Sequence, residues 1–174
     1  MSRIRMSGIV SGSITDGPGI RYAIFVQGCA HNCPGCHNPG THDYGGGQDM
    51  DTGDMLKAIK KDPMLSGVTF SGGEPFDQPL PLIELAKEVR MLGLEIAAYT
   101  GYVYEDILAH GGDRLELLKL CDVLIDGPFI MSRRNLDIRF KGSENQRIID
   151  VPKSLEAGHA ILKEDGRWIA TPEK

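Results

Sequence analysis

Three cysteines, Cys29, Cys33 and Cys36, crowd into the run GCAHNCPGCHN at residues 28–38. Thiols this dense ligate metal, form disulfides or act as nucleophiles. A structural zinc would need a fourth ligand, for which His31, His37 and His42 stand close in sequence. A disulfide would need an oxidising compartment, and nothing in the chain points to one. A [4Fe–4S] cluster ordinarily takes four thiolates. Three would leave one iron open, as a catalytic zinc keeps a position for its substrate. The spacing lets a single loop reach three corners of a cube, with Asn32, Pro34 and Gly35 suited to its tight bends. The remaining cysteine, Cys121, follows the apolar run LELLKL and reads as a core thiol.

A second chemical signal is SGGEP at 71–75. Standing alone it is a glycine turn leaving a strand. At a strand end, Gly72 and Gly73 would instead offer backbone polar groups to the ammonium or carboxylate of an amino acid. Glu74 would accept from the ammonium, and Pro75 would stiffen the exit.

The elements around these motifs alternate. RYAIFVQ (21–27), GVTFSGG (67–73), LEIAAYTG (94–101) and CDVLIDG (121–127) read as strands. Between them, a helix capped by Asp51 or Thr52 runs to about Lys61 and stops before Pro63. A second runs from Pro79 to Leu92, with a stripe of Leu82, Leu85, Ala86, Val89 and Leu92, and Gly93 ends it. A weaker helical pattern spans 104–120. This alternation implies right-handed βαβ units and a parallel sheet. Four or five such strands are too few to close an eight-strand barrel, so the expected fold class is α/β, as an incomplete barrel or an open sheet. NQRIIDV (145–151) adds a strand, and HAILKEDGRWIA (159–170) resembles a hairpin turning at Glu164–Gly166. Ligands bind beyond the C-terminal ends of parallel strands. The cysteine loop, SGGEP, YTG and DGPF follow four successive strands, so one site on one face is expected.

Bulk properties narrow the class. At 174 residues the chain suits one domain, covering residues 1–174, that buries roughly 70% of its unfolded surface. A net charge of −5 argues against phosphate-backbone binding, so no nucleic-acid partner is expected. No apolar run approaches a membrane span. The N-terminal MSRIRMSGIV has no apolar core of a secretory signal, which makes a reducing cytoplasm the default expectation.

Taken together, the cysteine motif and the GGEP motif one strand later resemble the radical S-adenosylmethionine (SAM) enzymes. DGPGIRYAIFVQGCAHNCPGCHN (16–38) is similar to the signature of their branch that activates glycyl-radical enzymes. DVLIDGPF (122–129), RFKGSENQRIID (139–150) and the short chain are nearest to activators of the anaerobic ribonucleotide reductase, with activators of pyruvate formate-lyase as the alternative. The resemblance covers about residues 8–151 and leaves 152–174 as an extension.

It implies a partial parallel barrel and a cluster held by Cys29, Cys33 and Cys36, with SAM chelating the open iron. Reductive cleavage of SAM would then take a hydrogen from a glycine of the large glycyl-radical subunit, the protein substrate. The electron donor would be a reduced flavodoxin- or ferredoxin-like protein. Gly35, Cys36 and His37 would border adenine. Gly72, Gly73 and Glu74 would border the methionine end, and Thr100 and Asp126 the rim. Read as isolated residues, Thr100 and Asp126 are equally loop caps. Asp16 and Arg21 would position the incoming glycine loop; in isolation they are a turn acceptor and a surface cation. Many radical SAM enzymes carry an aromatic residue just before the third cysteine. Here that position is Gly35, which leaves His37 as the expected adenine contact. Against this stands a non-enzymatic module with three cysteines and one histidine on zinc.

Overall fold

A computed structural model describes residues 1–169. In chain order its elements are β1 (Arg3–Ser13), β2 (Arg21–Val26), β3 (Gln48–Asp51), α1 (Thr52–Lys61), β4 (Gly67–Gly72), α2 (Pro79–Met91), β5 (Glu95–Tyr99), α3 (Tyr104–His110), α4 (Gly112–Leu120), β6 (Val123–Asp126), β7 (Arg147–Asp150) and α5 (Val151–Ala157). The seven strands form one open sheet in the order β3-β1-β2-β4-β5-β6-β7. At its centre β2, β4, β5 and β6 run parallel, as the alternation of elements requires.

The edges depart from the expected all-parallel sheet. β1 pairs antiparallel with β2, β3 with β1, and β7 with β6. β1 had a readable signal, because buried Ile4 and Met6 alternate with Arg3 and Arg5 at the two-residue period of a strand. β3 has none: QDMD is polar, and only its pairing with β1 makes it a strand.

The helices pack on one face. Tyr22, Ile24 and Val26 of β2, Val68 and Phe70 of β4, and Ile96 of β5 meet Met55 and Ile59 of α1 and Leu82, Leu85 and Val89 of α2 in the main core. Asp51 caps α1 by accepting from the Gly53 N–H at 2.6 Å. The stripe on α2 is buried as its spacing requires, except that Leu92 lies at the C-cap and is exposed. The span 104–120 is two helices, not one, because Gly111 and Gly112 take φ of +65° and +58°. Two successive left-handed residues break a helix and are tolerated by glycine. Cys121 is buried, as its apolar context implies, and burial pushes its thiol up.

The opposite face of the sheet carries a smaller cluster of Ala97, Val123, Ile125, Ile148 and Trp168. Trp168 comes from the segment expected to be a hairpin, and no hairpin forms there among the described residues; Ala170, its last position, lies outside them. Instead Leu162 makes a single bridge to Ile149 on the outer edge of β7. The Lys163 N–H donates to the Ile148 carbonyl at 2.8 Å. Asp165 then accepts from the Arg167 N–H at 2.9 Å, and the turn carries Trp168 under the sheet. The edge of β7 offers ready partners to 161–163, which leaves that segment without need of its own return strand. α5 also went unread, although Asp150 caps it through the Lys153 N–H at 3.1 Å and Gly158 ends it at φ +78°. No helix among the described residues is long and apolar enough to cross a membrane.

Candidate active site

Beyond the C-terminal ends of the four parallel strands lies a cavity of about 300 Å³. Each strand end contributes to its wall. Cys29, Cys33 and Cys36 follow β2, Gly72 and Gly73 end β4, Thr100 and Gly101 follow β5, and Gly127 and Phe129 follow β6. The four stretches picked out by sequence therefore meet at one place.

The cysteine loop is pinned where it leaves β2, by Gly28 N–H to the Thr41 carbonyl at 2.7 Å and Cys29 N–H to the His42 carbonyl at 3.2 Å. It turns at Asn32 and Gly35, both left-handed at φ +49° and +73°. Cys36 N–H closes a turn onto the Cys33 carbonyl at 3.1 Å, and Asn38 N–H points at Cys36 Sγ at 3.4 Å. Burial pushes the Cys29 thiol up, and backbone hydrogen bonds from His31 and Asn32 oppose it.

All three thiols are half-buried and free. Among the described residues no three His, Cys, Asp or Glu side chains converge on a point where they would share one metal ion. A tetrahedral zinc would draw its ligands to about 2.0–2.3 Å from a common centre. A cubane gives each thiolate its own iron, and three thiols from one loop on the wall of one cavity suit it. The backbone N–H groups aimed at sulfur are the outer-shell donors that such clusters use. The residues present fit a [4Fe–4S] cluster.

Around the thiols, several residues sit otherwise than their types suggested. Gly73 lines the cavity, but its N–H is taken by the Val26 carbonyl at 2.8 Å. A Cβ on Gly73 would collide with the backbone of Gly28. Glu74 is 1% exposed and is absent from the cavity wall. Its carboxylate accepts from Phe76 N–H at 3.0 Å, Thr100 Oγ1 at 2.9 Å, Gly101 N–H at 2.8 Å and His31 Nε2 at 2.6 Å. With four donors its acceptor sites are full, so the expected role as free acceptor for an ammonium gives way to one inside the protein. The bond to Glu74 raises the His31 pKa, against the effect of burial.

Thr100 lines the cavity while its hydroxyl serves Glu74. Asp126 faces away. It accepts from the Tyr104 N–H at 2.8 Å and pairs with Arg147 at 2.6 Å, which also grips Glu105 at 2.7 Å. Asp16 is on the wall. Arg21 is not at the site at all: it is fully buried at the opposite end of the strands.

Sequence reasoning missed Lys141 and Gln146 as site residues, both on the wall; Phe129 of DGPF is there as expected, and so is His42, offered from sequence only as a zinc ligand. His37 is there too, with its ring 5.2 Å from Phe129. A Cβ at Gly35 would run into Met131, with the Phe129 ring at 3.4 Å. The side chains missing at position 35 are thus replaced in space by two from the loop after β6. Gly35 was the available clue, since a glycine where an aromatic belongs calls for something else to fill the place.

A family model described as a 4Fe-4S single cluster domain matches residues 15–149. The pyruvate formate-lyase-activating enzyme of Clostridium pasteurianum is 38% identical over 153 residues, 81% of this chain and 63% of that enzyme. The chain thus spans a little under two thirds of that relative. The anaerobic ribonucleoside-triphosphate reductase-activating protein of Escherichia coli K12 is 32% identical over 141 residues, 76% of this chain and 90% of that protein. Its namesake from Enterobacteria phage T4 is 35% identical over 142 residues, 76% of this chain and 85% of that one. Among solved structures, QueE from Escherichia coli shares 16% identity over 57% of this chain and 52% of its own, with a TM-score of 0.48, too low to bear on fold or chemistry.

Proposed function

The chain belongs to the radical SAM activating proteins of glycyl-radical enzymes, and from that premise we propose that it makes the glycyl radical of an anaerobic ribonucleoside-triphosphate reductase. Its cofactors are a [4Fe–4S] cluster and SAM. Held by Cys29, Cys33 and Cys36, the cluster would supply the one electron needed for reductive cleavage of SAM, the chemistry by which a hydrogen would be taken from a glycine Cα of the partner.

The protein's part is to bind, orient and exclude. Cys29, Cys33 and Cys36 hold the cluster from one loop. Gly72 and Gly73 present backbone carbonyls to the methionine ammonium, the Gly73 N–H being occupied already. Lys141 brings the wall a cation for the carboxylate. Phe129 and His37 flank the adenine side. The cavity shields a reactive carbon radical from solvent and stray thiols until the glycine loop closes the opening.

The observation that carries the choice of partner is the makeup of the wall. DVLIDGPF and RFKGSENQRIID, the segments nearest to reductase activators, place Gly127, Phe129, Phe140, Lys141, Gly142 and Gln146 on the cavity. The 38% identity to a clostridial lyase activator favours the second reading, an activator of pyruvate formate-lyase. We read the four parallel strands as a partial barrel of the radical SAM type, within a single domain. The donor is a reduced flavodoxin- or ferredoxin-like protein, and the compartment the cytoplasm.

The test is electron paramagnetic resonance on anaerobic mixtures of this protein, SAM and reductant with each large subunit in turn. A glycyl-radical doublet on the reductase supports the proposal. A doublet on the lyase alone replaces it with the second reading.

A further inference from the structure

We propose that His31 and Glu74 form a positioning clamp that sets the cysteine loop in register with the Gly72–Gly73 strand end. The inference rests on the function proposed above, because register matters only if a chelating ligand must span the two.

Glu74 directly follows the two glycines and has a fully buried side chain. Three of its four donors, Phe76 N–H, Thr100 Oγ1 and Gly101 N–H, belong to the frame around β4 and β5. The fourth, His31 Nε2, is the one that comes from the cysteine loop. His31 stands midway between Cys29 and Cys33. Among the described residues, no backbone hydrogen bond ties residues 30–32 to another element. The start of the loop is tied to the strand end by Glu74 N–H to the Gly28 carbonyl at 2.8 Å, and the imidazole is the side-chain tie that extends this to residues 30–32.

The slot that receives the ring is built for it. Gly101 has no side chain, and a Cβ there would collide with the imidazole. Tyr102 meets the ring edge-on with centroids 4.5 Å apart. Tyr102 is in turn fixed by its hydroxyl on Asp77 at 2.7 Å and by Arg114 stacked 4.4 Å over its face. Arg114 also pairs with Asp77 at 3.0 Å. A buried carboxylate that loses one of its donors keeps its desolvation cost without the compensating bond. The stretch that leads from Cys29 to Cys33 is thus held at a set distance from the backbone that would receive methionine. A chelate binding both the open iron and Gly72–Gly73 depends on that distance, and a displacement near 1 Å at such a site costs roughly 100-fold in rate. Glu74 lies off the cavity wall and His31 lines it; both act through the loop and the strand end that they join, as positioning residues.

The test compares wild type, His31→Ala and His31→Gln after anaerobic reconstitution. Iron content, circular dichroism and the SAM-dependent change in the reduced cluster's paramagnetic resonance spectrum are measured. His31→Ala should load iron yet need at least about 10-fold more SAM for half the spectral change, a loss of about 1.4 kcal/mol in binding. His31→Gln, whose amide N–H reaches the same carboxylate oxygen, should return most of that loss. If His31→Ala also sheds iron, restoration by His31→Gln supports the clamp, and failure to restore overturns it. Should His31→Ala not fold, His31→Gln decides: a wild-type SAM response supports the clamp, and a 10-fold weaker one overturns it. Equal SAM response in wild type and His31→Ala overturns the clamp alone. A wild-type cluster whose spectrum ignores SAM overturns the proposed function and the clamp with it.

Discussion

The two ends of the parallel strands share one sheet face and are built on opposite plans. At the C-terminal ends, glycines and half-buried thiols surround a cavity of about 300 Å³. At the N-terminal ends, space is filled and the buried Arg21 guanidinium is matched. There all five N–H groups of Arg21 find acceptors: Thr69 Oγ1 at 2.7 Å, Glu95 Oε1 at 3.0 Å, and the carbonyls of Val68, Pro18 and Glu95 at 3.2–3.3 Å. Trp168 lies beneath, fully buried, 5.4 Å from the guanidinium. Gly67 has no side chain because the Arg21 guanidinium passes through the place a Cβ would take. The contrast teaches a division of labour: one end of each strand holds the fold, so the other can leave groups open for chemistry.

Substitutions at the open end should therefore cost more in function than in stability. The largest effect is expected from Cys33→Ala, which should abolish SAM cleavage and lower bound iron while leaving the thermal midpoint of the apoprotein near wild type. Gly73→Ala comes next. Its new Cβ meets the Gly28 backbone and displaces the strand end from the cysteine loop. A loss on the order of 100-fold in SAM cleavage is expected, read as 5′-deoxyadenosine formed per minute.

The closed end should behave in reverse. Trp168→Ala should cost about 3–5 kcal/mol in denaturant unfolding, while the protein that stays folded loses less SAM cleavage than Gly73→Ala, the route to the site being the packing of Trp168 on Phe140 of the cavity wall, centroids 5.4 Å apart. Equal losses of activity and stability would break the comparison. Glu95→Gln leaves Arg21 buried without its counter-charge and should cost about 3 kcal/mol, toward the low side because Glu95 keeps some solvent contact.

The smallest effect is at Glu105, an exposed carboxylate that Arg147 holds below its usual pKa. A lowered folded pKa adds stability above the ordinary glutamate value and loses it as pH falls through the lowered one. Glu105→Gln should thus remove at most about 0.5 kcal/mol at neutral pH and nothing in strong acid, read from thermal midpoints across pH.

The open end was the legible one. Thiols, paired glycines and strand-end loops declare themselves by residue type, and the four parallel strands by their apolar runs. The side-chain partners of those residues were not legible. Glu74 sits in a motif that suggests a ligand contact, yet Thr100 and Gly101, far along the chain, claim its oxygens. Arg21 reads as a surface cation until Glu95 and Thr69 arrive from neighbouring strands. Trp168 hides in a segment whose turn residues mimic a hairpin, because local turn chemistry says nothing of which edge the chain will meet. In each case the deciding contact spans many residues, and no local spacing encodes it.

The central claim is that three cysteines in one loop hold a cluster that cleaves SAM. It is tested most directly by incubating anaerobically reconstituted, reduced protein with SAM and measuring 5′-deoxyadenosine and methionine. The account predicts both products in equal amounts, from brown protein carrying about four irons per chain, as a [4Fe–4S] cluster requires. Colourless protein with one zinc per chain and no 5′-deoxyadenosine would contradict it.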